Sequence, residues 1–261
     1  MTEAATARAE PLEEPAPFDA LAADYDATFG LSPSGRLFRF RLAERIEAAM
    51  KPGASLLDIG SGTGEDAVWL SAKGFRVTGI DPSPAMAAIA SGKAGTARGG
   101  PLFEVSGLRD FKPPAAFDAV YSNFGAMNCV EPRELGPALS RLLVPGGRAF
   151  LVLMGSRPLP LLFREGLAGW RRRVPSRLPV GRAFVDISYP GPGALSRALG
   201  GQFRIERTET LGALVPPATA SDWPRRHPIL FALIAAVERL ISRRRVLASF
   251  SDHFLIELSR P

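Results

Sequence analysis

Three glycines at alternate positions form the most informative segment of the sequence. The run from Leu56 to Glu65, LLDIGSGTGE, places Gly60, Gly62 and Gly64 between a short apolar stretch and an amphipathic one. Glycine adopts positive φ and lets a ligand approach the backbone, so a loop of this kind between a strand and a helix suits a nucleotide. A nicotinamide-binding loop would read G-x-G-x-x-G, whereas the third glycine here comes one place early. Asp58 would repel a pyrophosphate and attract a cation.

Apolar, strand-like stretches alternate with helix-like stretches on both sides of this loop. Strands are predicted at 55–60, 75–80, 102–105, 117–122 and 148–154, and helices at 18–50, 65–73, 82–91 and 132–143. This alternation indicates parallel βαβ units, and the near-continuous apolar strands indicate a sheet covered on both faces. After Gly155 the pattern is less regular. It predicts short strands at 184–189 and 203–209, helices at 193–199 and 229–241, and a final strand at 251–258.

Length and composition indicate one globular domain. The chain has 261 residues, of which 46% are hydrophobic and 22% charged, which is ordinary globular usage. Its single cysteine excludes an internal disulfide or a cysteine-based zinc site, and two histidines argue against a metal site. Residues 1–17 are expected to be a disordered tail without a secretory signal, which favours the cytoplasm. Residues 18–261 are expected to form one domain, with a cofactor-binding core at 51–155, insertions and a sixth strand at 156–250, and a final strand at 251–259.

The positive charge is concentrated in the second half of the chain. From Arg157 onward there are 17 arginines, no lysine and 8 acidic residues, a net charge of +9 within a total of +6. Arginine enrichment is often a matter of genome composition, but this does not explain its position. A basic half can serve an anionic substrate, a membrane surface or a nucleic acid.

Four motifs occur in an order and at a spacing that resemble the class I S-adenosylmethionine-dependent methyltransferases. The first is the glycine run with Asp58, and the second is Asp81, 23 residues later at the end of the second predicted strand. The third is FDAVYSN at 117–123. The fourth is LVPGGRAF at 143–150, a turn into the fifth predicted strand. The match covers about residues 18–155 and the terminal strand.

This resemblance implies a Rossmann-like, doubly wound α/β fold with a seven-stranded sheet. The sheet would be mostly parallel, with an antiparallel last strand inserted next to the fifth, an N-terminal helical cap and C-terminal insertions. The cofactor would be S-adenosylmethionine, bound at the carboxyl ends of the parallel strands. Asp81 would accept hydrogen bonds from the ribose hydroxyls, although taken alone it reads as a helix N-cap before Pro82. The expected cofactor-binding residues are Asp58, Gly60, Ser61, Gly62, Gly64, Asp81, Pro82, Met86, Ser106, Gly107, Leu108 and Asn123.

Methyl transfer needs an acceptor atom held in line with the methyl group, and an acidic acceptor also needs a base. Three residues are candidates for catalysis. Asn123 follows the fourth strand, and the absence of a following Pro-Pro-Tyr argues against amide acceptors. An antiparallel last strand would bring His253 to the same edge, where the alternative is a structural histidine bonded to the backbone. Tyr25 resembles the tyrosine that covers the cofactor in related N-terminal helices, or is one face of an amphipathic helix.

The segments after the fifth strand favour a small, lipophilic or aromatic acceptor. Apolar stretches at 158–163 and 211–217 and the apolar stripe of the 229–241 helix are expected to cover it, or the stripe packs on the sheet. The alternatives are an RNA or DNA methyltransferase, for which no recognition module is visible, and a non-catalytic cofactor- or membrane-binding protein. Trp170, the arginines at 171–173 and those at 243–245 suit contact with an anionic membrane, unless they form a solvated basic face.

Overall fold

The computed structural model describes residues 16–95, 99–160, 174–180, 183–217 and 223–261. The predicted tail therefore lies outside the described residues except for its last two positions. Trp170 and the arginines at 171–173 also lie outside the described residues, as do the last three positions of the apolar stretch at 158–163.

One seven-stranded sheet organises the described chain. Its strands are β1 Ser55–Ile59, β2 Arg76–Asp81, β3 Leu102–Val105, β4 Phe117–Ser122, β5 Leu143–Met154, β8 Arg204–Leu211 and β9 His253–Ser259. They lie in the order β3-β2-β1-β4-β5-β9-β8. Strands β1 to β5 pair in parallel, and β9 runs antiparallel between β5 and β8. This confirms the predicted Rossmann-like sheet, including the antiparallel last strand next to the fifth.

Apart from the first, which precedes β1, the described α-helices lie between the strands in the sequence, and most of them pack beside the sheet. They are α1 Pro33–Ala49, α2 Glu65–Ala72, α3 Pro84–Ala94, α4 Pro132–Leu142, α5 Pro192–Ala198, α6 Trp223–Arg226, α7 Pro228–Ile241 and α8 Arg245–Ala248. Within the described ranges, no helix is both long enough and apolar enough to span a membrane.

The prediction of one helix over 18–50 is wrong. The segment divides into a 3-10 turn at Asp19–Leu21, a π-helical turn at Asp26–Gly30, and α1. Ser32 ends the earlier helical path because its backbone is extended and its hydroxyl accepts the Gly35 amide, 3.0 Å away. A serine N-cap followed by proline is a strong helix start, and it overrides the continuous helical periodicity.

Two apolar cores cover the two faces of the sheet. Alternate strand residues divide between them: Leu56, Phe150 and Leu255 pack with α1 and α2, and Leu57, Leu151 and Ile256 pack with α4 and α5. Side chains of a strand point alternately to opposite faces, so the continuous apolar strands supply both cores. The sheet is thereby fixed as the rigid base on which the loops at its carboxyl edge stand.

The region after β5 adds a separate two-stranded hairpin, β6 Ser176–Val180 and β7 Ala183–Ile187. The sequence predicted a strand near β7 but not its partner β6. The apolar stripe of α7 was expected to cover the acceptor or to pack on the sheet, and this is wrong. Leu230, Leu233 and Val237 are exposed, and the buried residue of this helix is Glu238.

Candidate functional site

A cavity of about 700 Å³ opens at the carboxyl edge of the parallel strands. Most of the residues predicted for the site line it: Tyr25, Gly60, Gly62, Asp81, Pro82, Met86, Ser106, Gly107, Leu108, Asn123 and His253. The exceptions are Asp58, Ser61 and Gly64, which lie behind the cavity wall. The volume is within the usual range for a small-molecule or cofactor site.

The first two glycines of the loop shape the cavity floor. Gly60 has φ +71°, and a Cβ added there would lie 2.4 Å from the Cβ of Ala126. Gly62 has φ +51°, and a Cβ there would approach the Tyr25 ring only to 3.9 Å. The loop therefore needs glycine at both positions for its backbone conformation, and at Gly60 also for space.

The third glycine and the serine hold the loop in place. A Cβ on Gly64 would lie 2.7 Å from the Phe103 ring and 2.8 Å from Ala90, so this glycine allows α2 to pack against α3 and β3. The Ser61 amide donates to the Ile80 carbonyl at 3.0 Å. In this structure both residues support the site from behind.

Asp81 connects the glycine loop to α3. Its Oδ2 accepts the Gly62 amide and its Oδ1 accepts the Ser83 amide, each at 2.9 Å. The N-cap of α3 is Ser83, whose hydroxyl accepts the Met86 amide. The alternative reading of Asp81 as that cap is therefore wrong. Burial raises the pKa of Asp81 despite the two amide hydrogen bonds. Each carboxylate oxygen has lone-pair capacity beyond its one amide bond.

A charged cluster lies behind the loop. Asp58 is buried at the end of β1, and burial first, then the negative charge of Asp66, raises its pKa well above the usual range. Asp66 pairs with Arg39 at 2.7 Å and accepts the Asn123 side-chain amide at 3.0 Å. Arg39 was missed by the sequence analysis, because an arginine within an arginine-rich helix carries no signal of its own.

The turn after β4 is strained. Among the non-glycine residues described, Phe124 alone has a positive φ, +51°, and Gly125 follows with +77°. The Asn123 side chain stabilises the turn by accepting the Phe124 amide at 2.9 Å, and the Arg39 guanidinium lies 4.8 Å from the Phe124 ring centroid. Backbone strain of this kind is concentrated at functional sites. Both polar ends of Asn123 thus have partners within the protein, and its side chain lines the cavity.

His253 and Asp252 form the polar end of the cavity wall at β9. The His253 Nδ1 lies 3.0 Å from the Asp252 Oδ2, and both residues line the cavity. The rings of Phe38 and Phe124 flank the imidazole, with centroids 5.4 and 6.4 Å away. A carboxylate beside Nδ1 favours the tautomer with its proton on Nδ1, which leaves Nε2 as the nitrogen that can accept a proton.

The segment before α1 covers the cavity. Phe18, Leu21, Tyr25 and Phe29 line it from above. Burial, with smaller contributions from nearby carboxylates, raises the pKa of Tyr25 to about 12, so its phenol is neutral at physiological pH. Tyr25 can therefore donate a hydrogen bond there but cannot serve as a base.

Two aspartates hold this covering segment. Asp19 accepts the Ser83 hydroxyl and the Ala85 amide at the start of α3. Asp26 accepts the Thr63 hydroxyl at 2.6 Å and pairs with Lys93.

The β6–β7 hairpin closes another side of the cavity through Val180 and Ile187. Asn128 ties it to the sheet: its side-chain amide donates to the Ser188 carbonyl at 2.7 Å, and its Oδ1 accepts the Met154 amide at 2.8 Å. A second depression of about 730 Å³ between this hairpin and α4 shares Cys129 and Ile187 with the cavity. This side of the cavity is thus built largely by parts whose positions the sequence did not predict.

A glycine loop after β1, an acidic residue ending β2 and a cavity at the strand ends define a Rossmann-like nucleoside-binding protein. Residues 57–151 match the family model described as a methyltransferase domain. A demethylmenaquinone methyltransferase of Clavibacter sepedonicus is 33% identical over 157 residues, which cover 59% of this chain and 63% of that protein. One of Mycobacterium bovis is 31% identical over 169 residues, covering 65% of this chain and 70% of that protein.

A trans-aconitate 2-methyltransferase of Escherichia coli is also similar, 32% identical over 140 residues, covering 51% of this chain and 53% of that protein. The chain thus spans less than two thirds of the length of the Clavibacter and Escherichia relatives. A solved cyclopropane synthase of Mycobacterium tuberculosis has the same fold, with a TM-score of 0.60, 16% identity and coverage of 93% of this chain and 95% of that one. The chain belongs to the class I S-adenosylmethionine-dependent methyltransferase family.

Proposed function

We propose that the protein transfers the methyl group of S-adenosylmethionine to a small, lipophilic acceptor. The observation that carries this proposal is the cavity itself, because it joins the family's glycine loop and acidic ribose site to a largely apolar chamber. The apolar wall comprises Phe18, Leu21, Phe29, Ile59, Ile80, Phe124, Met127, Met154, Val180, Ile187 and Pro217.

The residues present fit the cofactor. Gly62 faces the Tyr25 ring without a side chain between them, and the Asp81 oxygens can each accept a hydroxyl in addition to one amide. Asp58 and the Arg39–Asp66 ion pair lie behind the loop and do not line the cavity, so the glycine-loop backbone would contact the amino-acid part of the cofactor. When bound, the cofactor would supply an electrophilic methyl group on a sulfonium. Pro82, Met86 and the backbone at 106–108 would enclose its base.

His253 is proposed to remove the acceptor's proton. Asp81 ends β2 and His253 begins β9, four strands apart, so these groups are separated by roughly 19 Å at about 4.8 Å per strand. An extended ligand held at Asp81 would therefore reach across β1 and β4 toward β5. His253 would then face the acceptor, with its basic nitrogen directed by Asp252.

The relatives named demethylmenaquinone methyltransferases support a lipophilic acceptor, because their substrates, by name, are quinone lipids. The trans-aconitate enzyme acts, by name, on a small polar acid. A polar acid is a poor fit to this cavity, because none of the described residues that line it is lysine or arginine.

Labelled S-adenosylmethionine incubated with a cell extract and the protein tests the proposal. Label in an organic-solvent fraction, lost in His253→Gln with cofactor affinity kept, is the expected result. Label only in nucleic acid or only in polar acids would contradict the lipophilic acceptor. Transfer at the wild-type rate by His253→Gln would remove the base. A lipophilic acceptor also favours a protein that meets a membrane.

A further inference from the structure

Helix α7 presents an apolar stripe to solvent. Ile229, Leu233 and Leu240 are 78%, 59% and 84% exposed, and Leu230 and Val237 are about half exposed. At 3.6 residues per turn these five side chains fall within an arc of about 100°. Large apolar side chains grouped in one stripe mark an interaction surface, whereas scattered single ones do not.

The opposite side of α7 is fixed to the protein by a carboxylate. Glu238, 4% exposed, accepts the backbone amides of Gly212, Leu214 and Val215 at 2.6 to 2.9 Å. The helix therefore cannot turn its stripe inward without leaving three amides unpaired. The outward direction of the stripe is a built feature of the fold.

The exposed charges that flank α7 in the sequence are positive. Arg226 precedes α7, and Arg243 and Arg244 follow it, all exposed. Between Trp223 and Val246 the sequence has one acidic residue, Glu238, and it is buried on the other side. An apolar stripe bordered by arginines is complementary to an anionic bilayer interface, whereas two copies of this helix would bring like charges together.

The loop at residues 212–217 connects the region of the stripe to the cavity. Glu238 holds the backbone at 212–215, the Gly212 carbonyl accepts the Asp252 amide at 2.9 Å, and Pro217 lines the cavity wall. A surface bound by α7 would thus lie one loop away from the proposed acceptor site.

We infer that α7 is a membrane-docking helix that lies in the interface of an anionic bilayer, with its stripe among the lipid chains and its arginines at the headgroups. This inference rests on the surface of α7 and does not require the proposed methyl transfer. The partner of the apolar stripe is a lipid surface.

Flotation of the full chain with vesicles tests it, using phosphatidylcholine alone and a 3:1 mixture with phosphatidylglycerol. The expected result is binding to the anionic vesicles that weakens as salt rises. Leu240→Glu should weaken binding about tenfold or more, since it removes one apolar side chain from the lipid and adds a negative charge. The Arg243→Gln and Arg244→Gln changes should each weaken it about fivefold. The matched control is Leu102→Glu, because Leu102 is 71% exposed on the distant edge strand β3.

Three outcomes would overturn the inference. One is equal flotation of wild type and Leu240→Glu. Another is a wild-type dimer in solution that Leu240→Glu converts to a monomer, because this would make the stripe a contact between copies. The third is absence of vesicle binding together with a lower melting temperature for Leu240→Glu than for Leu102→Glu, which would mean that the chain itself covers the stripe. If the wild type binds anionic vesicles but transfers no methyl group, the result counts against the proposed function and leaves the membrane-docking inference intact.

Discussion

Replacing Asp81 by asparagine should separate ligand binding from folding. The side chain keeps its size, but one of the two oxygens that accept the Gly62 and Ser83 amides becomes a donor. A ribose hydroxyl then also loses a charged acceptor. Hydrogen bonds to charged groups contribute about 1.5–3 kcal/mol, so affinity for S-adenosylhomocysteine should fall by roughly 10- to 150-fold.

Stability should change little in the same variant. One lost amide hydrogen bond costs about 1 kcal/mol, and removal of a buried carboxylate with a raised pKa offsets part of this cost. For a protein of this size about 1 kcal/mol corresponds to a shift of roughly 2–4 °C in the melting temperature.

Titration calorimetry and thermal unfolding, measured side by side, test this separation. Asp118→Asn is the matched control: Asp118 also accepts two hydrogen bonds, from the Ser55 amide and hydroxyl, but at the opposite edge of the sheet. It should keep full affinity for the cofactor product. An Asp81→Asn variant within threefold of wild-type affinity would refute the assignment of Asp81 to the ribose.

Three further changes have defined outcomes. In urea titrations, Gly60→Ala should lower the free energy of unfolding by at least about 2 kcal/mol more than Gly146→Ala does. Both glycines have positive φ, but only at Gly60 would the new Cβ lie 2.4 Å from another side chain, that of Ala126. Equal losses in the two variants would show that the loop can shift. The pKa of Tyr25 is about 12 in the folded protein and about 10 in the unfolded chain, so between these values only the unfolded chain ionises. The free energy of unfolding of the wild type should therefore fall by up to about 3 kcal/mol relative to Tyr25→Phe as pH rises from 10 to 12, and should not change below pH 10. Parallel unfolding curves across that range would contradict this burial. Glu238→Gln should destabilise the protein by about 1–3 kcal/mol and increase hydrogen exchange at residues 212–215, whereas unchanged exchange there would show that the carboxylate does not hold the loop.

The sheet was predictable because each of its strands carries a local signal. Strands such as Phe117–Ser122 are short apolar runs bounded by turn residues, and the glycine loop and Asp81 have fixed positions relative to them. The fold class and the cofactor side of the cavity follow from these signals. Strand β6 carries none, because Ser176–Val180 contains proline and arginine and pairs only with its own hairpin partner.

The charged and acceptor-facing parts depend on long-range contacts. Arg39 meets Asp66, and Asn128 meets Ser188, across 27 and 60 positions of sequence, and no periodicity reports such meetings. Helix α7 shows the opposite limit: periodicity predicted the helix and an apolar stripe that includes Leu230, Leu233 and Val237, but periodicity does not say whether a stripe faces inward. Glu238 decides that, and a single glutamate in an apolar helix reads as a solvent-facing residue until its three amide partners are known.

The segment that covers the cavity has little apolar anchorage of its own. Of the described residues, none before Phe38 belongs to either apolar core cluster, and Asp19 and Asp26 tie the residues at 16–32 to α3 and to the glycine loop through polar contacts. A ligand that packs against Phe18 and Tyr25 adds the apolar contacts which this segment otherwise lacks. Order in the segment and occupancy of the cavity are therefore thermodynamically linked, so that each stabilises the other by the same free energy. Exchange of spent for fresh cofactor then has the character of a local folding reaction of this segment.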